Sequence, residues 1–233
     1  MKTIFISGAN RGIGLELCRQ SLQRGDNIIA ACRKPEKATE LSKLQRIYDN
    51  LQILCLDVDN EESVQNCFDQ LNQSCEKIDK IFNNAGIIDW RNIHTVSADA
   101  FSQVLQTNLR GAFLVLRNCL SCLQRSPDPW VYNMSCRLGS IELRGVTRLG
   151  GAIAYQCSKA ALNMLTKQAS IDLTSQGIKV VSISPGWVKT DMGGLEAKYE
   201  VKDSVKRILT VTDHLKPEQN GKFWGEDGEE ISW

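Results

Sequence analysis

No stretch of the chain approaches the length of apolar sequence that a bilayer-spanning helix requires. The first apolar run, Ile4-Phe5-Ile6, ends in a glycine loop and is too short for the hydrophobic region of a secretory signal. A dominant charge is missing too: 28 basic and 27 acidic residues are spread along the chain and leave a net charge of +1. That excludes the basic footprint of a nucleic-acid binder or of a membrane-surface protein. Low-complexity tracts, internal repeats and linkers are absent, so the 233 residues are expected to form a single domain. The cysteines make no framework. There are nine, an odd number scattered through apolar segments, which points to reduced thiols in a cytoplasmic protein. Cys119 and Cys122 have redox-type spacing, but they fall inside the helical run FLVLRNCLSCLQR with no turn before them. Core packing is their expected role. No metal site is expected.

What is present is alternation. KTIFIS (2–7), NIIAAC (27–32), LQILCLDV (51–58), IDKIFNNAG (78–86), WVYNMS (130–135) and IKVVSISPG (178–186) read as buried strands. Helical spacing follows each of the first five, with Leu15, Cys18 and Leu22 after the first and a long stretch from Ala98 to about Arg125 after the fourth. Another helix is expected from about Gly151 to Ser175. Strand and helix in strict succession require parallel pairing through right-handed crossovers. The expected fold is α/β: a doubly wound parallel sheet of the Rossmann type, with helices on both faces. In such a sheet ligands bind beyond the carboxyl ends of the strands, which here carry SGANRGIG, ACR, LDV, NNAG, NMSC and SPGWVKTD.

SGANRGIG (7–14) joins the first strand to the first helix. Gly8 permits a tight exit from the strand, Gly12 lets backbone approach a phosphate, and Gly14 lets the helix pack closely on the sheet. The amides of the helix N-terminus then face a pyrophosphate. A free ribose 2′-hydroxyl is met by a carboxylate at the tip of the second strand, and a 2′-phosphate by cations. That tip reads Ala30-Ala31-Cys32-Arg33-Lys34, with no acid, and Arg11 projects from the glycine loop toward the same place. Guanidinium groups suit phosphate, so NADP(H) is favoured over NAD(H).

Tyr155 and Lys159 lie one helical turn apart and share a face. A phenol with a pKa near 10 is a poor acid–base catalyst at neutral pH. Bringing it to about 7 needs roughly 4 kcal/mol of preferential phenolate stabilisation, part of which a nearby ammonium supplies.

SGANRGIG, LDV, NNAG, Asn108 in QTNLRG, YQCSK and SPGWVKTDM stand in the order found in short-chain dehydrogenase/reductases, and the chain resembles that family over nearly its whole length. More narrowly, NMSCRLGSIELRG, YQCSKAALNMLTK and the ending GKFWGEDGEEISW resemble the C-factor and sniffer-like carbonyl reductase branch. The resemblance implies that Asp57 and Val58 hold the adenine and that Asn84 lies against its ribose. Val188 and Thr190 would hold the carboxamide and a phosphate. Asn10 and Ile13 in the glycine loop, Ala85 and Gly86 beside Asn84, and Pro185 and Gly186 ahead of Val188 complete the implied cofactor site. Tyr155 would exchange the proton, Lys159 would bind the nicotinamide ribose and lower the phenol's pKa, and Asn108 would anchor a water in a proton relay. The implied substrate is a small aldehyde, ketone or alcohol, and the implied assembly a homodimer or homotetramer.

Two departures stand out. The interval from Cys136 to Tyr155 is longer than is usual in the family, and LRGVTRLGG (143–151) accounts for the excess as a loop at the pocket rim. Matching NMSC to the family's strand tip also places Cys136, rather than Ser135, on the catalytic serine, with Ser140 a further candidate. A nucleophilic Cys136 is disfavoured, since no histidine lies nearby in sequence and hydride transfer needs no covalent step. Against the reductase stands a regulatory or C-factor-like signalling protein that binds a dinucleotide and catalyses weakly. A nucleotide-sugar epimerase fits poorly, for lack of a C-terminal substrate domain. About fifteen residues, Met192 to Arg207, are left for a lid, and Trp90 and Trp187 are candidate apolar walls.

Overall fold

A computed structural model describes residues 1–144 and 150–233. Residues 145–149, the middle of the expected rim loop, lie outside the described residues. Among the described residues, seven strands form one sheet: β1 (Thr3–Ser7), β2 (Asn27–Cys32), β3 (Leu51–Cys55), β4 (Lys80–Asn83), β5 (Trp130–Met134), β6 (Lys179–Ile183) and β7 (Phe223–Trp224). Their order is β3-β2-β1-β4-β5-β6-β7, every pair parallel. The helices are α1 (Gly12–Gln23), α2 (Thr39–Gln45), α3 (Glu61–Ser74), α4 (Ala98–Leu105), α5 (Gly111–Gln124), α6 (Ile153–Asp172) and α7 (Val201–His214).

Strand period sorts the side chains into two cores. Ile4 and Ile6 of β1 face one way and pack with Leu17 of α1, Leu41 of α2, and Val205, Ile208 and Leu209 of α7. Phe5, between them, faces the other way onto Val64 and Phe68 of α3 and Leu114 of α5. Both faces of the sheet are therefore covered, as an all-parallel sheet requires. The tilted Phe5 and Phe68 rings, 5.1 Å apart, contribute about 0.5–1.5 kcal/mol beyond their area. Cys119 and Cys122 are buried in this second core as free thiols, and burial pushes both pKa values up.

Three departures from the expected elements bear on the site. First, the stretch read as one helix from Ala98 to Arg125 is broken by a π-turn at Gln106–Arg110, where the Gly111 N–H bonds back to the Gln106 carbonyl. Second, a lid reaching Arg207 is corrected. From Val201 onward the chain is α7, whose Ser204, Val205, Ile208, Leu209 and Thr212 recur at helical spacing and are buried. Third, β7 extends the sheet beyond the six strands the sequence displayed.

The order of the sheet reverses between β1 and β4, so their tips open side by side. Ser7 ties them together: its hydroxyl accepts from the amides of Asn84 and Ala85, at 3.0 and 3.1 Å. Beyond that junction lies the site.

Candidate active site

A cleft of about 850 Å³ runs along the carboxyl ends of the strands, within the range of ligand pockets. Its middle is built of backbone. Gly8 adopts φ +64°, and a Cβ there would lie 2.9 Å from the Ala85 Cα, so the β1 and β4 tips touch only because the side chain is missing. Gly14 does not line the cleft; it packs beneath, where a Cβ would stand 2.4 Å from the Gly8 carbonyl oxygen. No side chain caps the N-terminus of α1 at Arg11, which leaves its first amides directed at the cleft.

At one end Arg33, Lys34 and Lys37 line the wall, with Asp57 and Val58 from the β3 tip. The sequence singled out Arg33; Lys37 joins it through the 3-10 turn Pro35–Lys37, one turn further on. Arg11 also lines the cleft, but its guanidinium pairs with Asp191 at 2.5 Å rather than projecting freely toward Arg33. Asn84 is turned inward: its amide nitrogen donates to the Ser7 and Gly8 carbonyls, at 3.0 and 3.2 Å, and so holds the glycine loop. Asn10, Gly12, Ile13, Ala85, Gly86, Pro185 and Thr190 line the cleft, whereas Gly186 and Val188 stand behind it. Gly186, at φ +76°, abuts Tyr199 and Glu226, and buried Val188 bridges to Tyr199, fixing the segment that presents Thr190. These glycines, open amides and end-placed cations suit the phosphates of a nicotinamide dinucleotide.

At the other end Tyr155 and Lys159 share one face of α6, both buried. The Lys159 ammonium donates to the Met134 carbonyl at 2.7 Å and lies 5.5 Å from the centre of the Tyr155 ring. Burial lowers the Lys159 pKa to about 8. Burial also pushes the Tyr155 phenol well above its ordinary value, and the neighbouring Cys136 thiol, which shares a hydrogen bond with it, adds to the rise. In the chain alone, without a nicotinamide, desolvation is the largest influence on the phenol.

Asn108 is buried in the π-turn. Its carboxamide accepts from the Ile87 N–H at 2.8 Å and donates to the Ile87 carbonyl and the Ser158 hydroxyl, both at 2.9 Å. This side chain therefore positions the β4–α4 segment. Ser158 was not singled out in the sequence, although it stands beside Lys159.

Proton positions decide among the three donor candidates. The Gly139 carbonyl can only accept, so the Asn163 amide nitrogen, 3.3 Å away, must face it. The Asn163 oxygen then faces Ser135, whose one hydroxyl proton is committed to it at 2.7 Å. The Ser140 hydroxyl donates to the Trp233 carbonyl at 3.3 Å and accepts from Leu143 N–H at 3.2 Å. In this arrangement both serine protons are directed to protein acceptors, although Ser135 lines the cleft and Cys136 does not. Cys136 packs with Tyr155 in an apolar cluster that includes Ile87, Val96, Phe101, Leu138 and Met192. Trp90 and Trp187 are 55% and 54% exposed, so Trp187 is not core, and neither lines the cleft.

The short chain dehydrogenase family matches residues 2–200. The chain belongs to that family. Short-chain dehydrogenases are oxidoreductases, and this member is similar over its whole length to solved carbonyl reductases. The NADPH-bound carbonyl reductase from chicken fatty liver is 32% identical, with a TM-score of 0.95 over 100% of this chain and 99% of that one. The carbonyl reductase Sniffer of D. melanogaster is 36% identical, with a TM-score of 0.93 over 100% of each chain. C-signal of Myxococcus xanthus is 36% identical over 157 residues, which cover 67% of this chain and 93% of that protein. The family and branch resemblances drawn from the motifs hold. No helix among the described residues is long and apolar enough to cross a membrane.

Proposed function

We propose that this short-chain dehydrogenase is an NADP(H)-dependent reductase of small aldehydes or ketones, acting as one 233-residue domain in the cytoplasm. One juxtaposition carries the reading: a buried Tyr155 beside Cys136 and Lys159 at one end of a cleft whose other end is cationic. NADPH supplies the hydride when bound; Arg33, Lys34 and Lys37 would hold its 2′-phosphate, and Lys159 its nicotinamide ribose. The chain's own part is proton delivery. A buried phenol stays protonated at neutral pH, so Tyr155 has a proton to donate to a carbonyl oxygen. The cluster around Tyr155 is apolar and suits an apolar carbonyl compound.

The test is direct titration with both reduced cofactors, followed by turnover of a carbonyl panel. NADPH should bind at least about tenfold more tightly than NADH, roughly 1.4 kcal/mol, and Arg33→Asp should erase the preference. Tyr155→Phe should abolish turnover while leaving NADPH affinity nearly unchanged. Equal affinities, or turnover in the phenylalanine variant, overturn the reading.

The likeness to C-signal, together with a thiol in place of a hydroxyl at Cys136, favours a second reading: a regulatory dinucleotide-binding protein with weak catalysis. NADPH binding without turnover of any carbonyl selects it.

A further inference from the structure

Asn163 was assigned no role from the sequence, yet it stands on the face of α6 that carries the site, one turn beyond Lys159 and two beyond Tyr155. It is 4% exposed, and its carboxamide reaches two points of a single turn. The oxygen takes the Ser135 proton at the tip of β5, and the nitrogen donates to the Gly139 carbonyl. Between these points lie Cys136, Arg137 and Leu138. The Cys136 sulfur accepts from the Leu138 N–H at 3.4 Å and so caps the 3-10 turn Arg137–Gly139. Gly139 closes the turn against the helix: a Cβ there would stand 2.7 Å from the Lys159 Cβ and 2.8 Å from its carbonyl carbon.

We propose that Asn163 is a positioning residue, which fixes the Cys136 thiol against the Tyr155 phenol by fastening both ends of the Ser135–Gly139 turn to α6. Three groups that must meet one carbonyl oxygen are thereby referred to one rigid element. Tyr155 and Lys159 sit on α6 itself, and Cys136 is tied to it through Asn163. The clamp also occupies the Ser135 proton, which is part of the fastening. The inference rests on the reductase reading for its kinetic consequence but not for its geometric one.

The experiment is a double-mutant cycle between Asn163→Ala and Cys136→Ala, read in kcat and KM for an NADPH-dependent carbonyl reduction. Alongside it, the rate at which iodoacetamide modifies Cys136 in the cofactor-free protein is followed by peptide mass spectrometry. Asn163→Ala should lower kcat by about tenfold or more, since small misplacements of a reacting group have effects of that order, with the KM for NADPH unchanged. In the Cys136→Ala background the same change should cost less than about twofold, the signature of coupling through one group. Cys136 should also be alkylated several-fold faster once the turn is released. Ser135→Ala, which removes one of the two fastenings and is milder on folding, should give intermediate values in both measurements. An equal loss of kcat with and without Cys136 overturns the proposal, as does an unchanged alkylation rate in both variants. If the wild type reduces no carbonyl, the reductase reading fails by itself, and the alkylation rates still decide the role of Asn163.

Discussion

Ser135 and Ser140 each have one hydroxyl proton, committed to Asn163 and Trp233, while the Cys136 thiol faces the Tyr155 phenol. A thiol is a softer and weaker donor than a hydroxyl. Loss of one good oxyanion donor costs about 10²–10³ in rate, of which a thiol restores part. Cys136→Ser should therefore raise kcat by about tenfold or more in steady-state carbonyl reduction. A neutral Cys136→Ser with an inactive Ser140→Ala would transfer the role to Ser140. Lys159 gives a pH prediction. Its pKa falls from an ordinary 10.5 to about 8 on burial. Between those values the unfolded chain holds a proton that the folded chain has lost, so stability from this group rises with pH across the window, and the full cost stands below pH 8. The buried cysteines titrate with the opposite sign. The informative quantity is thus the difference between wild type and Lys159→Met in denaturant unfolding without cofactor, which should shrink as pH climbs from 8 to 10.5. The motif residues at this scale were legible because strand tips display them in order. Asn163, Ser7 and Lys37 were not, because each acquires its role from a partner distant in sequence or from a turn that brings it round to the cleft.

Among the elements, the π-turn at Gln106–Arg110 has the least sequence signal and a large effect on the site. Gln-Thr-Asn-Leu-Arg is ordinary helical composition, so periodicity runs through it unbroken. The extra residue in the turn lets Asn108 reach both Ile87 and Ser158. Deleting Leu109 should regularise the helix, leave far-UV circular dichroism nearly unchanged, and reduce turnover by about a hundredfold through misplacement. Retained activity would mean that the turn is incidental. Of the remaining elements, the five alternating strand–helix units were readable because each buried strand is bounded by turn residues. β7 is two residues between Gly221 and Gly225, too short for alternation to show. The expected lid, Met192 to Arg207, runs into α7 because the start of that helix, with Lys202, Asp203, Lys206 and Arg207, is charged, while its buried stripe of Val205, Ile208 and Leu209 is completed only beyond Arg207.

For the molecule as a whole, α5 and α6 leave Phe113, Met164 and Ile171 exposed, by 41, 68 and 58%. A homodimer or homotetramer formed across these helices is the assembly we propose. Met164→Glu should shift the mass measured by light scattering toward the monomer without loss of the fold, and an unchanged mass would place the interface elsewhere. The two halves of the cleft also meet across its mouth. Arg11 rises from the glycine loop and Asp191 from the segment after β6, and their ion pair is 62% and 80% exposed. An exposed pair adds little to stability. Dissolved salt weakens the pair further by screening. Ionic strength thus sets how firmly Arg11 is held at Asp191 beside the cleft, and raising it loosens that hold.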